Sequence, residues 1–444
     1  MLLGMTALSL VILAVAGRFA PQITPDTAGY LEIVGFPAML AQPRTPLYGW
    51  LVAILDLGRG GHVLVPAFQI VTYVAACWLF VAQLRGYGLS RVASLSVGAA
   101  LLSANALLMV SNWIHPELPA ITCALFAFAG TVHLTGPRPR WWAWLLVCAG
   151  AGCAYILRPS FLPLIVVLPA LFLCLRAVRG DLLAPARAAT IFFVSALPFL
   201  GIASLRTAMV GDPNIVSFGG YVMSGMAVLM LSDDVVARLP DDIKPFATEL
   251  LSARRAAEEG GRVIGIPLNA SKVRSYSSVT LAYFDVLART HDDMLSLAES
   301  TRKPNESWVD LNRRLMRFSL AVIRAAPDRY AIWVVGASTR AFGRSVVTNL
   351  PAMLAILIVA VAWPWRLFVN RQVGVTLVSR LDIPVMIICA VLWLAAAGSL
   401  TVLIHAPATR FIETSSLLVA PALIYWAALL LMPRFDGSVE GGSV

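Results

Sequence analysis

Charge is scarce in this chain: Asp, Glu, Lys and Arg together make up 13% of its 444 residues, against roughly a quarter in a typical soluble domain. So little charge cannot build the polar shell that a water-soluble fold of this length needs. Lysine is rarer still, confined to Lys244, Lys272 and Lys303, so the net charge of +10 is carried by arginine. Those arginines form no basic stripe with interleaved aromatics, which argues against nucleic acid as a partner. Walker loop, dinucleotide fingerprint, HExxH and GxSxG elbow are all missing; ATP-driven transport and cofactor redox chemistry lose their usual signatures with them. The six cysteines (Cys77, Cys123, Cys148, Cys153, Cys174 and Cys389) fall inside apolar runs, where a thiol behaves as a small hydrophobe and implies neither a disulfide nor a metal centre.

What is abundant is apolar. Hydrophobic residues make up 59% of the chain and the mean hydropathy is +0.79. Apolar runs of roughly 18 to 22 residues suit about 30 Å of hydrocarbon, where backbone groups are satisfied only in helices or closed barrels. The pattern predicts an all-α integral membrane protein of about ten transmembrane helices, within a range of about 9–12. The predicted spans are 2–17, 62–84, 92–110, 117–134, 141–157, 160–175, 189–209, 346–364, 383–403 and 411–431. Met1 to Gly17 lacks a basic start and a good cleavage site, and reads as a retained first helix. The stretch 46–57 is short for a crossing and reads either as an interfacial helix or as the start of a long second helix.

Threading the spans in alternation collects Arg85, Arg91, Arg138, Arg140, Arg176, Arg179, Arg187, Arg366, Arg371, Arg380 and Arg434 on one side. The positive-inside rule makes that side the cytoplasm and places both termini there. The expected home is a bacterial inner membrane, with functional groups facing the periplasm or exterior. Three regions follow: an N-terminal transmembrane region 1–210 with a first external loop 18–61, an extracytoplasmic helical segment 211–345, and a C-terminal transmembrane region 346–444. Within the long segment, 246–259, 272–300 and 306–326 read as amphipathic helices punctuated by Pro240, Gly260-Gly261 and Pro304.

The external face holds the residues that can do chemistry. Asp26, Tyr30, Glu32, Arg44 and Tyr48 put carboxylates, phenols and a guanidinium beside the lipid surface. A carboxylate there can accept a proton from a hydroxyl, and Arg pairs bidentately with phosphate oxygens. The alternative is that Asp26 caps a helix beginning at Thr27 while Arg44 snorkels to headgroups. His115 and Glu117, in the turn Ser111 to Pro119, could hold a divalent cation or orient a hydroxyl. Equally, Glu117 fits a first helical turn on dipole grounds alone. Arg158 lies where the charge rule does not favour arginine, which marks it as functional. The turn from His405 to Arg410, with Glu413 beyond it, repeats the pattern, with headgroup snorkelling as its simpler account.

In order and sidedness, Pro25-Asp26 through Tyr30, Arg44-Thr-Pro-Leu-Tyr48, the turn with Glu117, Leu157-Arg158-Pro159, Ala326-Pro-Asp-Arg-Tyr330 and Arg410-Phe resemble the membrane glycosyltransferases of the GT-C fold. The bacterial relatives of the dolichyl-phosphate-mannose protein mannosyltransferases and of the lipid A aminoarabinose transferase are most similar. The resemblance implies a sugar donor on a polyprenyl phosphate, a lipid, glycan or protein acceptor, and Asp26 as general base. It further implies phosphate binding by Arg44, Arg158 and Arg410. The chain departs from that pattern in having Thr27 rather than a second acid after Asp26, and no DxD motif. Three other readings compete. An O-antigen ligase or polymerase would keep its key groups in the long loop. A lipid or solute transporter or flippase would place ionisable groups at the bilayer midplane. A scaffold would bind a partner through its external layer.

Overall fold

The computed structural model describes residues 2–24, 26–32, 35–56, 61–89, 91–136, 138–177, 184–260, 293–347, 349–369, 382–405, 414 and 416–431. Among them the chain is all-α, its only extended pairing being the single bridge between Gln22 and Trp113.

In chain order the helices are α1 (Leu2–Val15), α2 (Thr27–Leu31), α3 (Pro46–Asp56), α4 (Leu64–Tyr87), α5 (Arg91–Leu102), α6 (Asn105–Leu108), α7 (Glu117–Leu134), α8 (Trp141–Leu157), α9 (Leu164–Ala177) and α10 (Ala184–Val210). The long segment contributes α11 (Gly219–Met230), α12 (Asp233–Arg238), α13 (Lys244–Glu259), a helical stretch over 293–300, α14 (Trp308–Ala325) and α15 (Pro327–Val347). The chain then returns through α16 (Leu350–Val369), α17 (Asp382–Ile404) and α18 (Val419–Leu431). Among the described residues, five helices are long and apolar enough to cross a membrane: Leu64–Tyr87, Glu117–Leu134, Pro159–Ala177, Ala184–Val210 and Ile387–Ile404. Shorter apolar helices, including Leu2–Val15, Trp141–Leu157 and Pro351–Trp365, accompany them.

The bundle is centred on α7, which packs against α4, α8 and α9. Glycine sets the closest approach. A Cβ on Gly150 would lie 2.8 Å from the Cys123 carbonyl, and one on Gly130 would lie 2.8 Å from that of Ala143. Small residues let helix backbones approach where no water is available to drive apolar association.

Contacts at the helix ends show which ends share a face. The Tyr87 hydroxyl donates to the Leu175 carbonyl at 3.0 Å and Arg176 donates to that of Thr135 at 2.8 Å, gathering the C-terminal ends of α4, α7 and α9. At the other end, Gln69 donates to the Trp113 carbonyl at 3.1 Å and Thr45 to that of Ile156 at 2.5 Å. These two bonds anchor the chain on either side of α3 to the same face. Helix α3, with 11 residues, reaches only about half of the hydrocarbon thickness.

Several expected boundaries are corrected. The span 92–110 is broken into α5 and α6 at Ser103, whose hydroxyl bonds back to the Ala99 carbonyl at 2.9 Å, a pairing that competes with regular helix and bends it. The last helix starts at Val419, with 416–418 in a turn; Pro421 then falls in its first turn, where a missing N–H costs nothing. In the long segment the expected helices over 246–259 and 306–326 match α13 and α14, whereas most of 272–300 lies outside the described residues. Helix α11 was not expected: its apolar, glycine-containing sequence is buried against α14, where Asn312 accepts from the Gly220 and Tyr221 amides at 2.8 and 3.2 Å. Helix α14 buries Leu311, Leu315, Phe318 and Val322, an i, i+4, i+7, i+11 stripe. This segment has its own apolar core, built around Met226, Leu250, Phe318 and Trp333.

Candidate functional site

The segment between α1 and α2 and the turn before α7 are stitched together by backbone bonds, Gln22 N–H to the Asn112 carbonyl at 2.8 Å and Ile114 N–H to that of Gln22 at 3.0 Å. Just beyond, the Thr27 hydroxyl donates to the Ile114 carbonyl at 3.1 Å. This seam brings Asp26 to His115, residues nearly 90 positions apart, and the cluster grows from there.

Asp26 occupies the N-cap position of α2, as its sequence context predicts, but its side chain makes no capping hydrogen bond. The carboxylate instead meets Arg44 Nη2 at 3.3 Å and His115 Nε2 at 3.6 Å. Tyr30, one helical turn on, accepts at its hydroxyl from Arg44 at 2.7 Å and from Arg158 at 3.3 Å. His115 Nδ1 contacts Glu117, and Glu117 Oε1 lies 2.8 Å from Arg158 Nη1. The His115 ring stands edge-on to Tyr30 at 4.6 Å, and Tyr48 packs edge-on behind it at 6.0 Å. Burial pushes the Tyr48 phenol well above its ordinary pKa, so it stays protonated.

Exposure divides the cluster in two. The side chains of Asp26 and Arg44 are 27% and 25% exposed, whereas those of His115, Glu117 and Arg158 are 2%, 3% and 7% exposed. A mouth of carboxylate and guanidinium thus sits over a sealed ionic floor. Taking Glu117 and Arg158 out of water costs several kcal/mol per ion before pairing returns it. A buried pair of this kind is poor evidence of stabilisation and better evidence of a task. The guanidinium of Arg44 also lies over the rings of Tyr30 and Phe218, at 4.5 and 5.1 Å, which holds its plane in place.

Seven of the ten residues singled out in the sequence, Asp26, Tyr30, Arg44, Tyr48, His115, Glu117 and Arg158, therefore meet. Glu32 ends α2 and is exposed. His405 follows α17, two residues past the Leu403 carbonyl that accepts from Tyr330 of the external layer at 3.0 Å. Arg410 and Glu413 lie outside the described residues. No three His, Cys, Asp or Glu side chains are grouped to hold a metal among the described residues. Where His115 and Glu117 would need a third ligand, the structure supplies the Arg158 cation.

A second buried ionic group escaped the sequence reading. Arg206, near the C-terminal end of α10 and 2% exposed, donates to Asp212 at 3.0 Å, to Ser217 at 2.7 Å and to the Leu40 carbonyl. Burial alone would raise the Asp212 pKa. Hydrogen bonds from Ser217, Asn214 and Arg206 outweigh it and hold the carboxyl below its ordinary value. This knot ties the first external loop to the segment that carries Phe218. The signal that found Arg158 applied here too, since Arg206 is likewise an ionisable residue toward the end of a long apolar helix.

No protein family, curated protein or solved structure matches the chain.

Proposed function

We propose that this chain is a GT-C-like glycosyltransferase that moves a sugar from a polyprenyl-phosphate donor to an extracytoplasmic acceptor. The observation that carries the reading is the pairing of a solvent-reachable carboxylate, Asp26, with a solvent-reachable guanidinium, Arg44, above the buried floor of His115, Glu117 and Arg158. In this scheme the acceptor hydroxyl gives its proton to Asp26 as its oxygen attacks the anomeric carbon. The carbon–oxygen bond to phosphate breaks on the opposite side of the sugar, and the electron pair leaves with the lipid phosphate. Charge grows there, where a guanidinium stabilises it.

Base and phosphate ligand must then stand on opposite sides of the sugar, so the Asp26–Arg44 pair has to part as the donor enters. An ion pair this exposed is worth about 0–1 kcal/mol, and opening it is cheap. Arg158 is 7% exposed and its Nη1 is held by Glu117 and the Tyr30 hydroxyl, which favours an indirect role over direct phosphate contact. Its role in this reading is positioning: it fixes Glu117 and Tyr30, which fix His115 and Arg44.

The same reading makes the chain a multi-pass bacterial inner-membrane protein of about ten helices, with both termini cytoplasmic and the cluster facing the periplasm. Its support is that Arg176 and the C-terminal ends of α4, α7 and α9 lie at the end opposite Asp26. The test is transfer from polyprenyl-phosphate sugars by the purified protein in nanodiscs, with Asp26→Asn beside wild type. Loss of a general base lowers turnover about 10²- to 10⁴-fold, and wild-type turnover in that variant discards the reading.

A further inference from the structure

The external layer contains a cleft of about 800 Å³ between the start of α13, the turn after 293–300 and the outer face of α14. That volume lies in the range of small-molecule sites. Its floor is apolar, Phe246 edge-on to Phe318 at 5.3 Å. Arg314 makes a fixed wall, bonded through two nitrogens to Glu306 at 2.8 and 2.7 Å and lying 4.5 Å over the Phe246 ring. The rim carries two opposed pairs, Arg317 with Asp242 at 2.7 Å and Arg313 with Asp310 at 2.9 Å, and Arg302, Lys303 and Glu249 also line the cleft. All four paired side chains are more than half exposed, so their pairings are weak and their polar atoms can be taken over by a ligand.

We propose that this cleft binds a saccharide and that the saccharide is the acceptor; only the second half rests on the glycosyltransferase reading. The chemistry selects the ligand class. A bare phosphate site would not be lined with the carboxylates of Asp242, Glu249 and Asp310, and an acyl-chain groove would be apolar along its rim. Alternating carboxylates and guanidiniums above aromatic rings offer acceptors, donors and an apolar face together, which is what a ring of hydroxyls with one C–H face requires. The cleft is also connected to the Asp26 cluster. Arg313 donates to the Gly211 carbonyl at 3.3 Å, and α14 begins at Trp308, whose indole N–H donates to Ser217 at 2.6 Å. Trp308 in turn stacks on Phe218 at 6.3 Å, under the Arg44 guanidinium. A glycan held in the cleft would have a row of aromatic rings leading toward the mouth.

The experiment is ligand-observed saturation-transfer NMR on the full chain in nanodiscs, using maltotetraose and the β-1,4-linked N-acetylglucosamine tetramer as probes. Saturation is expected to reach at least one tetrasaccharide in wild type. Affinity should fall about tenfold in Arg317→Ala and in Arg313→Gln, the scale of losing one charged hydrogen bond, and should hold in Arg238→Gln, an exposed position on α12 outside the cleft. Absence of transfer to both probes, or transfer indifferent to the rim substitutions, overturns the proposal. Rim-dependent binding by a protein that turns over no polyprenyl donor keeps the saccharide site and discards only its role as acceptor site.

Discussion

Glu117 and Arg158 lie 2.8 Å apart at the first residue of one apolar helix and the residue that ends the next, and both are sealed from water. Each satisfies the charge of the other, and the pair holds the ring of His115 and the hydroxyl of Tyr30 on either side.

That pairing predicts an asymmetry. Glu117→Gln leaves Arg158 charged in a dry site, and breaking one side of a buried pair costs about 3–5 kcal/mol. Thermal unfolding in detergent should show a large drop in Tm. Replacing both partners, Glu117→Met with Arg158→Leu, should recover most of the stability while activity stays lost. A double variant no more stable than the single one would contradict the account.

Arg44 separates charge from shape. Arg44→Lys keeps the positive charge but loses the planar fork that spans Asp26 and Tyr30 and stacks between two rings. Because the side chain is only partly buried, folding should be unaffected. The donor KM should rise about tenfold, the scale of one charged hydrogen bond, and an unchanged KM would remove Arg44 from the phosphate site.

Asp212 predicts acid sensitivity of the link between loop and external layer. Its carboxyl has a lowered pKa in the fold, so its contribution is complete above the ordinary carboxylate value near about 4. That contribution fades as pH falls from there through the folded value. Protection factors for hydrogen exchange across residues 212–221, taken against the intrinsic rate at each pH, should fall below about pH 4 in wild type. In Asp212→Asn they should be low already at neutral pH, with little further change on acidification.

Gly220 tests the seating of α11 on α14. A Cβ there would overlap the Asn312 carbonyl and come within 2.6 Å of the Met316 amide, both backbone atoms of α14. Gly220→Ala should therefore destabilise the protein by about 1–3 kcal/mol or more. Gly201, with nothing within 4 Å of its Cβ direction, is the control, and Gly201→Ala should be neutral or mildly stabilising. Equal effects at the two positions would refute the close approach.

Much was legible because it depends on residues near one another in the chain. Apolar run length set the helical class. The start of α2 at Thr27 and of α7 at Glu117 followed from their Asp, Pro and Glu contexts. The types of residue able to move a proton or hold a phosphate could be named, and so could their crowding on one face. Sequence could not decide whether Asp26 caps its helix or reaches across to Arg44, because both uses satisfy the same carboxylate locally. The bridge from Gln22 to Trp113 decided it, by fixing His115 beside Asp26. It could not show that the chain flanking α3 is tied to the ends of α8 and α7, which bonds from Thr45 to Ile156 and from Gln69 to Trp113 establish. Nor could it separate the reachable Arg44 from the sealed Arg158, or show that Arg206 joins the first loop to Phe218. Hydropathy and helix propensity act over a few turns of chain, whereas burial and the distance between charges are set by which helices pack together.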